Sequence, residues 1–266
     1  MEELELNKKK LVLIPFILIF LSVFIFSGYK IYKIISDYNE AEVYYTEFSD
    51  RFITKVTGNE ISGGTASESS ADSESDSKPA VPISVDFDGL IKYNSDIAGW
   101  LYCEDTVMNY PVAQSDDNDF YLRRSLDKTY LVTGTIFADF RCTAPGADKS
   151  YVIYGHDMKN GTIFGMLDNY ESSKYMKAHP FYYYLTPNGN YRIDVYSGVV
   201  VNAADRLYNV VETDGYISYI KELSKSGCIT DSFELTDTDN LLILSTCSDK
   251  YEDARFVLIG KVTLIP

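Results

Sequence analysis

The sequence predicts a mainly β domain with helical insertions, closed as a β-barrel and preceded by an N-terminal transmembrane helix. Three observations lead to this fold class. Residues 11–29 are nearly all apolar and carry no charge, residues 84–266 contain several short apolar runs of strand length, and helical patterns in that region are few. We expect a closed barrel because closure removes the exposed edges of a sheet.

The N-terminal segment predicts a single-pass membrane protein. Residues 11–29 are long enough to cross a bilayer as a helix, and they follow three lysines at positions 8–10. Cleavage as a signal peptide is disfavoured, because Ser27-Gly28 is a poor cleavage site with large residues around it. We therefore expect an uncleaved signal anchor in the cell membrane, with residues 1–10 forming a cytoplasmic tail and the chain after residue 30 lying outside the cell.

Composition divides the rest of the chain into three parts. Residues 30–56 predict a juxtamembrane helical segment. Residues 57–83 predict a flexible acidic linker, since they are rich in small and acidic residues and hold too little apolar area to offset the entropy of ordering. Residues 84–266 are long enough for one domain with its own core and short for two.

Six apolar runs in this last part predict strands, and three stretches predict helices. The clearest hairpin spans residues 182–196, where Pro-Asn-Gly-Asn at 187–190 supplies residues that tolerate the positive φ of a tight turn. The longest helix has Thr213 or Asp214 as its expected N-cap and Gly227 as its stop. The predicted strands are residues 134–138, 150–154, 181–185, 191–201, 241–246 and 255–264, and the predicted helices are residues 86–94, 161–170 and 213–226.

Charge and cysteine content exclude several classes of partner. The formal net charge of −15 argues against nucleic acid, because phosphate binding needs a basic surface. The four cysteines are widely separated and the chain has only two histidines, so we expect no metal site and no cofactor. Cys103, Cys142 and Cys228 are expected to be buried small hydrophobes, with disulfide pairing left open.

A thiol and a cation are predicted to face each other near the C-terminus. Cys247 directly follows the apolar run at 241–246, and Arg255 begins the next apolar run after a polar turn. The two runs are therefore predicted to form a hairpin with both residues at its turn end. His156 follows another apolar run, whereas His179 precedes a proline and could end a helix. Cysteine, histidine and arginine at strand ends indicate a cysteine acyl-transfer site. Arg255 and a protonated His156 could each stabilise the thiolate.

Each of these residues also has a structural interpretation. Arg255 could form a surface ion pair with Asp253 or Glu252, and His156 could be an ordinary hydrogen-bonded histidine. Cys247 could be a structural residue of a noncatalytic surface-binding module.

Several motifs resemble those of sortases. Leu-Ser-Thr-Cys at 244–247 is similar to the Leu-x-Thr-Cys signature, Arg255 matches the arginine of the following strand, and Tyr-Gly-His at 154–156 matches the histidine segment. Ile243 departs from the threonine that many sortases have there. The resemblance covers most of residues 90–266 and is greatest for class B, whose pattern is matched at residues 94–101, 109–112, 118–122 and 134–139 and by the helix ahead of the cysteine strand.

The resemblance implies a sortase-type barrel of the class B variant and a membrane-anchored transpeptidase of a Gram-positive bacterium. Cys247 would attack the carbonyl after the threonine of a C-terminal sorting signal in a secreted protein, and Arg255 would stabilise the oxyanion. His156 would protonate the departing amine and then deprotonate the incoming amine of a peptidoglycan precursor. Ser245 and Thr246 would shape the site for the threonine of the signal.

The sequence leaves alternatives to this activity open. A secreted cysteine hydrolase would use the same thiol with water as acceptor, and a pilus-polymerising sortase would use a lysine amine of another protein. The pilus activity is disfavoured, since no segment resembling an Asp-Pro-Trp plug precedes the domain. Signals ending in Thr-Gly and in Thr-Asn both remain compatible with the sequence.

Overall fold

The computed structural model describes residues 2–56, 81–210, 214–230 and 232–265. The chain forms two compact units, Met1–Val43 and Tyr44–Pro266. The first is the greater part of helix α1, Glu2–Phe52. Its portion Pro15–Phe52 is long and apolar enough to cross a membrane, and the predicted transmembrane segment at residues 11–29 lies within α1.

The second unit is a closed mixed β-barrel with helical insertions, as the sequence predicts. Eight strands follow one another in the spatial order β11-β10-β6-β5-β4-β3-β7-β8, and β8 closes the barrel by pairing antiparallel with β11. The short strand β9 adds to the outside of β8. The strands are β3 Ile97–Tyr102, β4 Asn109–Ala113, β5 Ile136–Ala138, β6 Ser150–Tyr154, β7 Phe181–Thr186, β8 Gly189–Asn202, β9 Cys228–Ile229, β10 Leu241–Cys247 and β11 Ala254–Ile265.

All six predicted strands are present, and two barrel strands were missed. β3 contains Gly99, and β4 contains Pro111, two residues that argue against a strand. Gly99 is required because a Cβ atom there would lie 2.6 Å from the backbone oxygen of Leu185. Pro111 is tolerated because β4 has only one partner strand, β3, at this position. The other neighbour, β5, pairs only with the two residues that follow Pro111, so it does not need the N–H that proline lacks.

The β7–β8 hairpin is formed as predicted, but its turn is not of the positive-φ type. Thr186 pairs with Gly189, which leaves Pro187 and Asn188 as the two central residues. None of the residues at 187–190 has a positive φ. The reason is Pro187, whose ring fixes φ near −65° at the first central position.

The helices are shorter than predicted. α2, Phe87–Tyr93, matches the predicted 86–94, and Asp86 caps it by accepting the N–H of Gly89 at 2.9 Å. The predicted helix at 161–170 is a 3₁₀ helix, Gly165–Glu171, followed by the unpredicted α3, Ser173–Ala178.

α4, Tyr216–Ser224, is the observed part of the predicted helix at 213–226. Gly215, not Asp214, is its N-cap and has a φ of +66°, and Thr213 lies outside the described residues. α4 ends three residues before Gly227, so the predicted stop is also wrong; Lys225 is the C-cap.

The second unit begins earlier than the boundary predicted at residue 84. It includes the last turns of α1 from Tyr44 and a two-stranded sheet of β1, Ile53–Lys55, and β2, Ile83–Val85. Phe48 and Phe52, one helical turn apart, are 6% and 5% exposed and join the core cluster with Trp100. This apolar face explains why the second unit includes the end of α1, because burial of the two phenylalanines against the core stabilises the last turns of the helix. Of the predicted linker, residues 57–80 lie outside the described residues, and Ile83 is buried in β2.

Candidate active site

The β10–β11 hairpin places Cys247 and Arg255 directly opposite each other. Cys247 is the last residue of β10, and the antiparallel register pairs it with Arg255, the second residue of β11. The hairpin predicted from the sequence is therefore confirmed. Its strands are buried, so the thiol and the guanidinium emerge from a rigid element.

Strand β6 brings His156 to the same edge of the barrel. β6 and β10 are parallel, with Ser245 opposite Tyr154. Parallel strands end at the same edge, so the residues that follow them emerge together. Cys247, His156 and Arg255 all line one groove of about 440 Å³. The groove is also lined by Asn118, Leu122, Phe137, Arg141, Tyr154 and Tyr208.

Cys247 is the exposed cysteine of the chain. Cys103 and Cys142 are buried, as predicted, whereas Cys228 is only half-buried, because the two-residue strand β9 lies at the edge of the sheet. All four thiols are free. Burial raises the pKa of Cys142 to about 12 and also raises the pKa of Cys103, so both remain protonated thiols. Cys247 combines solvent exposure with a cation directly opposite it across the hairpin.

His156 is held by a backbone carbonyl. Its Nε2 atom lies 2.7 Å from the oxygen of Leu122. Because a carbonyl only accepts, Nε2 must carry the proton, and Nδ1 of the neutral ring is then an acceptor. Burial lowers the pKa of His156 below 6.5, and Arg123 adds to this effect, while the Leu122 carbonyl opposes it. Burial penalises the charged ring, so the lowered pKa favours the neutral form over the protonated His156 considered above as a second source of thiolate stabilisation.

Arg255 is available for an anionic ligand. Its Nη1 atom donates to the carbonyl of Ala254 at 2.9 Å, and the side chain is half-buried in the groove wall. Among the described residues it forms no ion pair, so the surface pair with Asp253 or Glu252 considered above is not formed. The remaining guanidinium donors can take a developing oxyanion.

Ser245 and Thr246 are buried, and their hydroxyls bind neighbouring elements. Thr246 Oγ1 donates to the carbonyl of Gly155 at 2.8 Å, which fixes the end of β10 against the residue before His156. Ser245 Oγ lies 2.8 Å from the hydroxyl of Tyr208. Both residues also line the groove, so their predicted part in substrate binding stays a prediction with a suitable location.

Sequence reasoning assigned no role to Tyr208 or to the network behind it. Burial raises the pKa of Tyr208 to about 12, and its ring stacks on Tyr154 with the ring centroids 6.2 Å apart. Tyr154 donates to the buried carboxylate of Asp139 at 2.8 Å, and Arg141 binds the same carboxylate through Nε and Nη2 at 2.8 and 2.6 Å. Arg141 Nη2 also donates to the carbonyl of Tyr208. The network thus fixes one wall of the groove.

We expect Asp139→Asn to lower the free energy of unfolding by about 2–3 kcal/mol, because it leaves Arg141 without its ionic partner. The loss is smaller than for a fully buried pair, since the Arg141 side chain is 38% exposed. Urea unfolding followed by the fluorescence of Trp100, the single tryptophan, measures it. Asp194→Asn is the control, because it breaks a surface pair with Arg192 and should cost at most about 1 kcal/mol.

This stabilisation also depends on pH. Burial by itself raises the pKa of Asp139, but the donors of Arg141 and Tyr154 outweigh it and hold the pKa below its usual value. The ion pair therefore stabilises the fold fully above the unfolded pKa, near pH 4, and the contribution is lost as the pH falls through the folded pKa. The difference in the free energy of unfolding between wild type and Asp139→Asn should be largest at pH 7 and should shrink below about pH 4. A difference that is the same at both pH values would contradict this assignment.

The remaining titratable candidates do not join the site. His179 is the C-cap of α3, where its ring packs on Tyr175 with a centroid distance of 4.5 Å. It therefore ends a helix, one of the interpretations considered from the sequence. In the part of the chain that the structure describes, no three histidine, cysteine or acidic side chains are grouped to hold a metal ion.

Comparison with known proteins identifies the domain type. A model of the sortase domain matches residues 101–263. Sortase B of Listeria monocytogenes is 34% identical over 178 residues, which are 65% of this chain and 72% of that protein. Sortase B of Staphylococcus aureus is 29% identical over 183 residues, which are 66% of this chain and 74% of that protein.

Solved structures show the same similarity. The S. aureus sortase B–substrate complex has a TM-score of 0.63 and 27% identity, covering 68% of this chain and 85% of that chain. Sortase B from B. anthracis in complex with AAEK1 has a TM-score of 0.68, covering 86% of this chain and 99% of that chain. The latter is 24% identical and supports the fold alone.

Proposed function

Because this chain belongs to the sortase family of cysteine transpeptidases, we propose that it cleaves a C-terminal sorting signal after threonine and transfers the protein to a peptidoglycan-precursor amine. The observation that supports this most is the exposed thiol of Cys247, paired across the hairpin with Arg255 in a groove that also holds His156. The product is a surface protein covalently attached to the cell wall.

In the proposed reaction Cys247 is the nucleophile. Its sulfur attacks the carbonyl carbon of the threonine, and its proton passes to the acceptor nitrogen of His156, whose lowered pKa favours the neutral ring. The carbonyl oxygen becomes an oxyanion in a tetrahedral intermediate. Arg255 stabilises that oxyanion with directed donors, which are worth most where the charge develops.

His156 then acts as general acid and general base in turn. Its imidazolium gives the proton to the departing amine as the C–N bond breaks, which leaves a thioester between the threonine and Cys247. The incoming amine attacks this thioester and loses a proton to His156. As the new amide forms, the C–S bond breaks, and the Cys247 thiolate takes the proton back from the imidazolium. Ser245 and Thr246, at the groove wall, shape the pocket for the threonine side chain.

We further propose that α1 anchors the enzyme in the membrane. Its apolar portion supports this location, and the lysines at positions 8–10 favour a cytoplasmic N-terminus. The catalytic domain then faces the outside of the cell, where secreted proteins and wall precursors meet. The formal net charge of −15 disfavours nucleic acid, so protein and peptidoglycan are the expected partners.

A peptide library with an added amine tests the proposed activity. We expect the full chain in detergent to cleave signals after threonine, and mass spectrometry to detect a ligated product with triglycine or a diamino-acid peptide. Libraries ending in Thr-Gly and in Thr-Asn distinguish the two motifs. Products of hydrolysis alone, with every acceptor, would support the cysteine hydrolase instead. Ligation only to a lysine of another protein would support pilus polymerisation.

A further inference from the structure

The last turns of α1 bind the loop that holds His156. Tyr45 is 5% exposed and donates its hydroxyl to the backbone carbonyl of Gly134. The hydroxyl of Tyr44 accepts the backbone N–H of Leu126 at 3.1 Å. Both partners lie in residues 120–135, here called the 120–135 loop. The two tyrosines therefore attach the helix end to this loop at two points.

The 120–135 loop begins with a 3₁₀ turn, Phe120–Arg123, and folds back on itself through backbone hydrogen bonds. The N–H of Leu131 donates to the carbonyl of Arg123 at 3.1 Å, and the N–H of Thr135 donates to the carbonyl of Tyr121 at 3.0 Å. Gly134, with a φ of +58°, lies so close to its neighbour that a Cβ atom there would be 2.4 Å from the oxygen of Leu122. A displacement of Gly134 toward Leu122 would therefore press on the Leu122 peptide.

The Leu122 oxygen is the acceptor that holds His156 Nε2. A continuous series of contacts thus joins the Tyr45 hydroxyl to Gly134, Gly134 to Leu122, and Leu122 to the imidazole. The last contact determines which nitrogen carries the proton, because loss of the acceptor leaves both tautomers accessible.

A second series of contacts reaches the residues after His156. The rings of Tyr45 and Tyr110 meet edge to face, with centroids 5.4 Å apart. The hydroxyl of Tyr110 accepts the N–H of Ile163 at 3.1 Å. Ile163 pairs with Asp157, and its φ of 55° is unusual for a β-branched residue, so the surrounding contacts must enforce it. Tyr45 therefore contacts the 120–135 loop directly and is connected through Tyr110 to the segment that follows His156.

We propose that Tyr45 is a positioning residue of the transpeptidase: it keeps the 120–135 loop against His156 and so fixes the imidazole in the Nε2–H tautomer. Tyr44 supports the same loop from the neighbouring turn. The end of α1 is thus part of the active-site support. This inference rests on the proposed function, since it assumes that His156 transfers protons.

The test uses the full chain in detergent, labelled with ¹⁵N-histidine. The chain has only two histidines, so imidazole spectra resolve His156 once His179→Gln has assigned the other. We expect His156 of the wild type to be in the Nε2–H tautomer at pH 7.5. In Tyr45→Phe we expect a mixture of both tautomers, with kcat lowered roughly tenfold and KM within about twofold, because a misoriented acid–base group affects the chemical step.

Tyr93→Phe is the matched control, because Tyr93 contacts Phe48 and Phe52 on the same helix end and makes no contact with the 120–135 loop among the described interactions. It should leave the spectra and kcat unchanged. Tyr44→Phe, which removes the acceptor of Leu126, should shift both readouts in the same direction as Tyr45→Phe. It also serves as the test if the Tyr45 variant does not fold.

The outcomes separate this inference from the proposed function. Wild-type imidazole spectra in both variants would overturn the positioning role, whatever the activity. Mixed tautomers with an undiminished kcat would instead show that Tyr45 positions His156 but that His156 does not carry the proton transfer, which contradicts the proposed function.

Discussion

Cys247→Ala is expected to lose at least about 10⁴-fold in turnover of a sorting-signal peptide, because no thioester can form without the sulfur. The fold should be retained. Cys247 is exposed, and its backbone pairing with Arg255 does not involve the side chain. Removing one exposed atom creates no cavity, so the melting temperature should change by no more than about 2 °C.

Cleavage of the peptide, followed by mass spectrometry, measures this loss. In the wild type the same spectra should contain an enzyme–peptide thioester that is absent from Cys247→Ala. Cys228→Ala is the matched control, since Cys228 is a half-buried free thiol away from the groove. It should retain full turnover. Undiminished cleavage by Cys247→Ala would reject the assignment of the nucleophile.

The parts of the site that could be predicted are those set by local sequence. Cys247 and Arg255 are eight positions apart on two consecutive apolar runs, so the hairpin follows from strand pattern and turn composition alone. The position of His156 at the end of β6 follows from the same kind of pattern. Its approach to the other two residues depends on the parallel pairing of β6 with β10, which has no local signal in the sequence.

The electrostatic state of the site could not be predicted, because it depends on contacts that are distant in sequence. The acceptor of His156 is the Leu122 carbonyl, 34 positions away, and burial of the ring depends on the whole groove. A sequence shows which side chains can titrate, but not which nitrogen is held or how much water surrounds it. For the same reason the sequence does not show that burial lowers the pKa of His156.

The packing of the end of α1 on the barrel could not be predicted for a different reason. Tyr44, Tyr45, Phe48 and Phe52 follow a helical spacing, which the irregular apolar pattern of the whole juxtamembrane segment obscured. Their partners on the barrel include Trp100 and Tyr110, far along the chain. A short helix face of this kind is recognised only once its docking surface is known, since aromatic residues at a helix end have no unique partner.

Arg255→Lys is expected to lower kcat about 10²–10³-fold with little change in KM, because the oxyanion exists only in the transition state and the adjoining intermediate. Lysine keeps the positive charge, so this variant separates charge from geometry. The guanidinium donates one N–H to the Ala254 carbonyl at 2.9 Å and still has donors directed elsewhere. An ammonium is a compact, strongly hydrated point charge that cannot bind the Ala254 carbonyl and the oxyanion at once.

Steady-state kinetics of peptide cleavage and of thioester formation measure the effect, and both rates should fall together, since each passes through a tetrahedral oxyanion. Arg255→Ala should be at least as slow as Arg255→Lys, while Arg192→Lys, on the surface of β8, is the control and should behave as wild type. A kcat of Arg255→Lys near that of the wild type would reject the oxyanion role. A normal kcat with a raised KM would instead assign Arg255 to the binding of the ground-state substrate. The fall in kcat alone therefore distinguishes an oxyanion donor from a binding residue.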